Sequence, residues 1–196
     1  FVINRKKCYT MVFSRSRKYD FPPEFCIGNS DFLSEKHEAT ILGVKLQLNL
    51  RWNSQVEHMV RKASKAVWTL RRMKSLGVDT ATLTQFWRTE GRAHLEYQAP
   101  LWHSSNTVAQ ARDLARAQRV AMAAITSRWH SSHSRQLEEL SLQPLDARRT
   151  RLCKRWAVRT ATRSRHSDIF SLAAGGRTSR SSAKGIYREP LCRTGS

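Results

Sequence analysis

The sequence predicts an α+β chain: a short N-terminal β-segment, then a bundle of helices, then a basic tail. Two changes of pattern and one shift of composition carry this. Up to about residue 50 the apolar residues are largely aromatic or β-branched and sit in short runs between turn residues. From about Asn53 they recur at spacings of three and four, the period of an amphipathic helix. Beyond His166 the chain turns to Gly, Ser and Arg. Its 196 residues suffice for one ordinary domain or two small ones, and a hydrophobic content of 40% gives a core of modest size.

In the β-segment, Cys8-Tyr9-Thr10-Met11-Val12-Phe13 reads as a strand. Pro22-Pro23 and Gly28-Asn29 punctuate the next stretch, leaving Phe25-Cys26-Ile27 as a short strand. Ala39 to Leu46 forms another, and Gly43 inside it marks a bend or a close backbone approach. The first helix then starts with Asn53 or Ser54 as N-cap and Glu57 in its first turn. Val56, Met59, Val60, Ala63, Val67, Leu70 and Met73 form its apolar stripe, and Gly77 ends it. Asp79 or Thr80 caps a second helix that carries Leu83, Phe86, Trp87 and Leu95 towards Pro100. A third follows Thr107, with Leu114, Ala117, Val120, Ala121 and Ile125. A short helix near Ser134–Leu140 and a longer one from about Asp146 to Ala161 complete the ordered part, and disorder is expected beyond His166.

Charge narrows the function. Lys and Arg number 35 against 15 acids, a net charge of +20. Such an excess repels itself in a compact state, so a polyanionic partner is the natural explanation. Nucleic acid fits, because each neutralised phosphate releases condensed counterions; an inert basic surface is the bland alternative. A membrane surface is disfavoured, since no amphipathic anchor or lipidation signal is present and no apolar run approaches the roughly 20 residues that span a bilayer. Cys8, Cys26, Cys153 and Cys192 form no C-x-x-C pair, which argues against a zinc ribbon and for reduced thiols in a cytosolic or nuclear protein. The chain starts at Phe1 and reads as a segment of a longer protein.

On a helical wheel, Arg61, Lys65 and Arg72 lie opposite the apolar stripe of the first helix, with Trp68 beside them. A cationic face with an adjacent indole holds phosphates and offers a stacking surface. A solvated helix face would carry the same pattern. The last helix adds Arg148, Arg149, Arg151, Lys154, Arg155 and Arg159 with hardly an acid among them, and two such helices with a basic tail favour binding. Other constellations carry less. Trp129-His130-Ser131-Ser132-His133 has two histidines three apart but no carboxylate or cysteine near them, so it reads as loop or cap. Glu138 and Glu139 are adjacent and point different ways on a helix. Glu96, between Leu95 and Tyr97, reads as a structural ion pair or cap. The sequence contains no phosphate-binding glycine loop, G-x-S-x-G or D-x-D cluster.

The order of several short motifs is more specific than any one of them. Asn4-Arg5-Lys6-Lys7-Cys8-Tyr9-Thr10-Met11-Val12-Phe13 resembles the late-palm segment N-x-x-K-T/C-x-x-M-x-F of reverse transcriptases. Ile41-Leu42-Gly43-Val44 with Leu50-Arg51-Trp52 resembles their primer-grip turn, with Thr40-Ile41 where an aromatic usually precedes Leu-Gly. After the basic helix ending in Leu70-Arg71-Arg72, the run His94-Leu95-Glu96-Tyr97-Gln98-Ala99-Pro100-Leu101-Trp102 resembles the L-E-Y-x-x-P-x-W of the thumb in jockey-like non-LTR retrotransposon polymerases. Leu114-Ala115-Arg116-Ala117-Gln118-Arg119 resembles their L-x-x-x-Q-R helix, and Leu140-Ser141-Leu142-Gln143-Pro144-Leu145-Asp146-Ala147-Arg148-Arg149 their L-x-x-x-P-L-x-x-R-R.

This resemblance, over roughly Ile3 to Arg159, implies the end of a right-hand polymerase palm in residues 1–50 and a helical thumb in 51–130. Post-thumb basic helices in 131–165 and a basic tail in 166–196 would follow. The family's chemistry is RNA-directed DNA synthesis, in which metal ions on palm aspartates run nucleotidyl transfer to a primer 3′-hydroxyl. Those aspartates belong to motifs upstream, including an F/Y-x-D-D hairpin that this sequence lacks. The resemblance therefore implies Mg2+ for the complete polymerase and no cofactor in this chain. The partners implied are an RNA template, a DNA primer, and the palm and fingers of the same polyprotein. Lys7 would be the general acid for the leaving pyrophosphate, and Leu42 and Gly43 would form the primer grip. Arg61, Lys65, Trp68 and Arg72 would track the duplex, with Arg119, Arg148, Arg149 and Arg155 extending the basic surface. The rival expectation is a stand-alone basic binding module, or domesticated remnant, without catalysis.

Overall fold

A computed structural model describes residues 3–4, 8–13, 26–27, 31–129 and 132–161. The expected strand Phe25–Ile27 is met by β1 (Cys26–Ile27), which pairs antiparallel with β2 (Asp31–Phe32). The Cys8–Phe13 segment differs from expectation. Within the described residues it makes a single parallel bridge, Thr10 to Glu35, through Thr10 N–H to Ser34 O and Lys36 N–H to Thr10 O, both 3.0 Å. Its β-branched and aromatic content meets only that one short partner, and two hydrogen bonds do not make a ladder.

The stretch expected as one bent strand is a hairpin, β3 (Glu38–Ile41) and β4 (Val44–Gln47), with Ile41 opposite Val44. Leu42 and Gly43 form its two-residue turn with φ of 48° and 79°. Positive φ at both central residues is what a turn matching the strands' twist requires. Glycine adopts it freely; Leu42 adopts it at some steric cost and is left 84% exposed. Ala39 and Val44 point into the protein, so one face of the hairpin is buried.

Helix α1 (Asn53–Ser75) follows. Its N-cap is Trp52, without a side-chain cap bond, rather than Asn53 or Ser54. Both candidate caps are engaged elsewhere. Asn53 Oδ1 accepts from Gln110 Nε2 at 2.6 Å, and Ser54 Oγ donates to Glu38 at 2.5 Å. Glu57 lies beyond the first turn and pairs with Arg61 at 2.8 Å. The C-terminus obeys the sequence. Gly77, with φ of 81°, donates to Lys74 O, and Val78 N–H donates to Met73 O, the double bond of a Schellman ending. Lys74 Nζ caps a second helix from outside by donating to the carbonyls of Ala124 and Ile125.

Asp79 caps α2 (Thr80–Phe86) by accepting from the Thr82 amide at 2.9 Å. The expected continuous helix towards Pro100 then widens into a π-turn over Trp87–Gly91 before α3 (Arg92–Glu96). The cause is the Trp87 indole, fully buried and lying on Gly91: a Cβ on that glycine would sit 2.0 Å from the ring. Gln98, in the left-handed region at φ 49°, breaks the chain before α4 (Ala99–Trp102), and a 3-10 turn (His103–Ser105) follows. Thr107 and Gln110 form a reciprocal capping box for α5 (Val108–Thr126). Ser132 caps α6 (His133–Glu139), and α7 (Leu145–Ala161) ends the described chain.

These elements make an α+β fold that is mostly helical. Among the described residues one hydrophobic cluster runs from Val44 of the hairpin to Leu145 of α7, built on the α1–α5 contact and filled by Leu70, Trp87, Leu95, Trp102, Leu114 and Ile125. Leu137, Leu140 and Leu142 belong to the same cluster, so the core crosses the sequence divisions at both 51 and 131.

Two glycines should separate steric from conformational cost. Gly91→Ala forces a methyl into the Trp87 ring and is expected to cost about 3 kcal/mol. Gly77→Ala, with open space around it, is expected to cost about 1 kcal/mol through its positive φ alone. Thermal melts followed by circular dichroism check the order.

Candidate nucleic-acid interface

The interface is built outward from a carboxylate. Glu96 ends α3 with its side chain 11% exposed and receives two hydrogen bonds from Arg148 of α7, Nε at 2.7 Å and Nη2 at 3.0 Å. Arg92 Nε lies 3.4 Å from the same carboxylate. The ion pair expected of the Leu95-Glu96-Tyr97 triplet is therefore present. These bonds hold the Arg148 guanidinium pKa above its usual value. On one side Leu95 is buried in the core. On the other, Tyr97 Oη donates to the Leu42 carbonyl at 2.7 Å, and its ring forms a van der Waals wall beside Gly43. Trp102 Nε1 donates to Tyr97 O at 2.9 Å, fixing the corner between α3 and α4. Gln55, buried in α1, accepts from the Lys45 amide at 2.9 Å. The hairpin turn is thus pinned from two helices.

Arg149 corrects the sequence expectation. It is 1% exposed, its guanidinium 5.5 Å from the centroid of the buried Trp102 ring, and its nearest carboxylate is Asp146 at 3.9 Å. Burial pushes its pKa below the ordinary arginine value. It cannot meet a phosphate, because it faces the core. Arg148 is half-buried, with its Nε and Nη2 engaged by Glu96.

What stands in front of the pinned turn is a basic trough. A cavity of about 300 Å³ is lined by Gly43, His58, Lys62, His94 and Tyr97. A second, of about 590 Å³, continues from it between α1 and the π-turn, lined by Lys62, Lys65, Thr69, Phe86, Glu90 and His94. Lys62 and His94 belong to both, so the trough is continuous from the hairpin turn along α1. Its potential registers on His58, whose pKa is lowered by burial and then by Lys62, Lys45, Arg61 and His94. Sequence reasoning missed Lys62, His58 and His94. Lys62 could have been found, being four residues after His58 and three before Lys65; His94 could not, because α3 brings it there.

The crest of α1 carries the residues the sequence did select. Arg61, Lys65, Trp68 and Arg72 are all exposed and fall within about 60° of arc over about 16 Å. Arg61 shares its charge with Glu57 in an exposed pair of the kind worth about 0.3–0.5 kcal/mol, weak enough to yield to a phosphate. Arg119 lies on the other flank, in a cavity with Trp129 and His133. Arg155 is exposed on α7, in a separate cavity with Gln98 and Pro100. Lys7, His130, Ser131 and residues 162–196 lie outside the described residues. Ser132 acts as a cap, as read, and Glu139 pairs with Arg128 at 3.0 Å.

Comparison with protein-family models, with curated proteins and with solved structures found no match to this chain. Among the described residues no group of three His, Cys, Asp or Glu side chains is placed to hold a metal ion, and no helix is long and apolar enough to cross a membrane.

Removing the central carboxylate tests the frame of the site. Glu96→Ala leaves Arg148 and Arg92 facing each other without their anion and is expected to cost about 3–5 kcal/mol. Urea titration measures it; in the triple variant Arg92→Met, Glu96→Leu, Arg148→Met much of the loss should return.

Proposed function

We propose that this chain is the late-palm and thumb part of an RNA-directed DNA polymerase of a jockey-like non-LTR retrotransposon, and that it grips the primer–template duplex. The observation that carries the reading is that the family-like motifs, dispersed in sequence, are bonded to one another. Tyr97 of the L-E-Y run holds the Leu42 carbonyl of the Leu-Gly turn. Glu96 of that run holds Arg148 of the R-R pair, and Arg149 stacks over Trp102 at the run's end. Gln118 of the Q-R helix donates to the carbonyl of Gln143, beside Pro144, at 3.3 Å.

In this reading the Leu42-Gly43 backbone approaches the primer strand, and Lys62, Lys65 and His94 neutralise phosphates along the trough. Arg61 and Arg72 flank it from the crest of α1. These contacts position a duplex and carry no sequence information. Mg2+ and its aspartates belong to the upstream palm; the described residues offer no set that fits the ion, so no chemical step is assigned to them. The continuous core from Val44 to Leu145 favours a second reading, a basic module that folds by itself and binds nucleic acid without catalysis. An upstream reading frame carrying the F/Y-x-D-D hairpin decides for the polymerase.

Fluorescence anisotropy with an RNA–DNA duplex over a salt series tests the grip. Affinity should fall steeply with salt, by about 0.9 in logarithmic slope for each phosphate contact. Lys62→Gln with Lys65→Gln should weaken all duplex sequences equally and reduce the slope by about 2. Salt-independent binding, or an unchanged slope in the variant, would contradict it.

A further inference from the structure

We infer that the chain carries a second nucleic-acid surface, for a single strand, on the flank of α1 away from the trough. A groove of about 720 Å³ runs between α1 and α5, lined by Val60, Val67, Ala117 and Val120 with Trp68 and Arg71 beside them. Next to it lies a cavity of about 380 Å³ lined by Arg119, Ala123, Trp129 and His133. Arg116 and Val120 line both, so the two are one surface. Arg71, from the first, sits 5.5 Å from the centroid of the Trp129 ring in the second.

Two indoles are therefore presented to solvent on this surface, Trp68 at 69% exposure and Trp129 at 56%. Arg71, Arg116 and Arg119 stand among them. The groove also contains Glu57, which pairs with Arg61, and Asp113, against its own Arg71 and Arg116; Arg119 of the adjoining cavity brings the surface to three arginines. The positive field reaches His133, whose pKa is lowered by burial and then by Arg119. Cations interleaved with open aromatic faces are the chemistry of single-strand recognition: phosphates meet the arginines and successive bases stack on the rings. A duplex keeps its bases stacked on each other and has no use for exposed indoles. Arg71 over Trp129 already forms the cation–π stack that a base would extend. The surface lies beside Trp68, Ser64 and Arg71 of α1, whereas the trough lies beside His58, Lys62 and Thr69, so one helix would divide two strands of different character. The inference rests on the exposed indoles and stands independently of the polymerase reading.

The test titrates the full chain with a labelled single-stranded RNA of about 15 nucleotides and, separately, with an RNA–DNA duplex. Trp129→Ala and Trp68→Ala are each expected to weaken single-strand binding about ten-fold, and Trp129→Ala, which lies off the crest of α1, is expected to leave duplex binding in place. Trp129→Phe should retain most of the affinity, because a phenyl ring still stacks. Lys62→Gln with Lys65→Gln should show the opposite pattern, so failure of the trough and failure of this surface are told apart. Independently of any variant, tryptophan emission of the unaltered chain should be quenched more strongly by the single strand than by the duplex. Unchanged single-strand affinity in both alanine variants, equal loss for single strand and duplex in Trp129→Ala, a Phe variant as weak as the Ala variant, or quenching no stronger with the single strand than with the duplex would each overturn the inference.

Discussion

The contact between Glu96 and Arg148 organises this protein. It joins residues 52 positions apart, and one of the two anchors of the hairpin turn, Tyr97, adjoins it. Upstream of it, Tyr97 carries the constraint to the hairpin turn, and Leu95 carries it into the core. Downstream, Arg148 fixes the rotation of α7, which turns Arg149 inward over Trp102. A buried ion pair of this kind contributes little net stability compared with apolar residues, but it is intolerant of losing one member. Its value is positional: a carboxylate that accepts a fork of two N–H groups defines an orientation as well as a distance.

The same economy governs the rest of the charge. A chain of +20 must limit its self-repulsion, and several of its acids are engaged in defined contacts. Glu38 binds Ser54 and Lys45, and the Ser54 hydrogen bond holds its carboxyl below the usual range. Asp79 caps α2, Glu139 holds Arg128, and Glu57 steadies Arg61. With acids drawn into these roles, exposed cations without an acid partner remain on α1, among them Lys62, Lys65 and Arg72, and on α5 and α7. Helix α1 then separates two surfaces, a trough bearing Lys62, Lys65 and His94 and a flank bearing Trp68, Trp129 and their arginines.

Periodicity made α1, its Gly77 ending and the buried stripe legible, because one helix packing on a core leaves a signal every three or four residues. The structural role of Glu96 was legible too, since a lone acid among apolar residues needs a partner. Three features were not legible in the residue pattern. The residue pattern around Leu42-Gly43 reads as a bent strand, the turn there was legible through the resemblance alone, and the backbone's positive φ is what makes it a hairpin. The π-turn depends on the Trp87 ring lying on Gly91, a contact that no spacing rule isolates. Arg149 was counted with its charged neighbours because a wheel records charge and not which side of α7 meets Trp102. The trough itself is made from two helices and a turn, so no single segment could announce it.

The Glu96–Arg148 pair, through Tyr97, helps hold the hairpin turn at the mouth of the trough. Amide hydrogen exchange in Arg148→Met measures that coupling directly. The account predicts faster exchange in the Glu38–Gln47 hairpin together with α7, two segments that share no backbone bond but share this pair. Faster exchange in α7 alone, with the hairpin as protected as before, would contradict it.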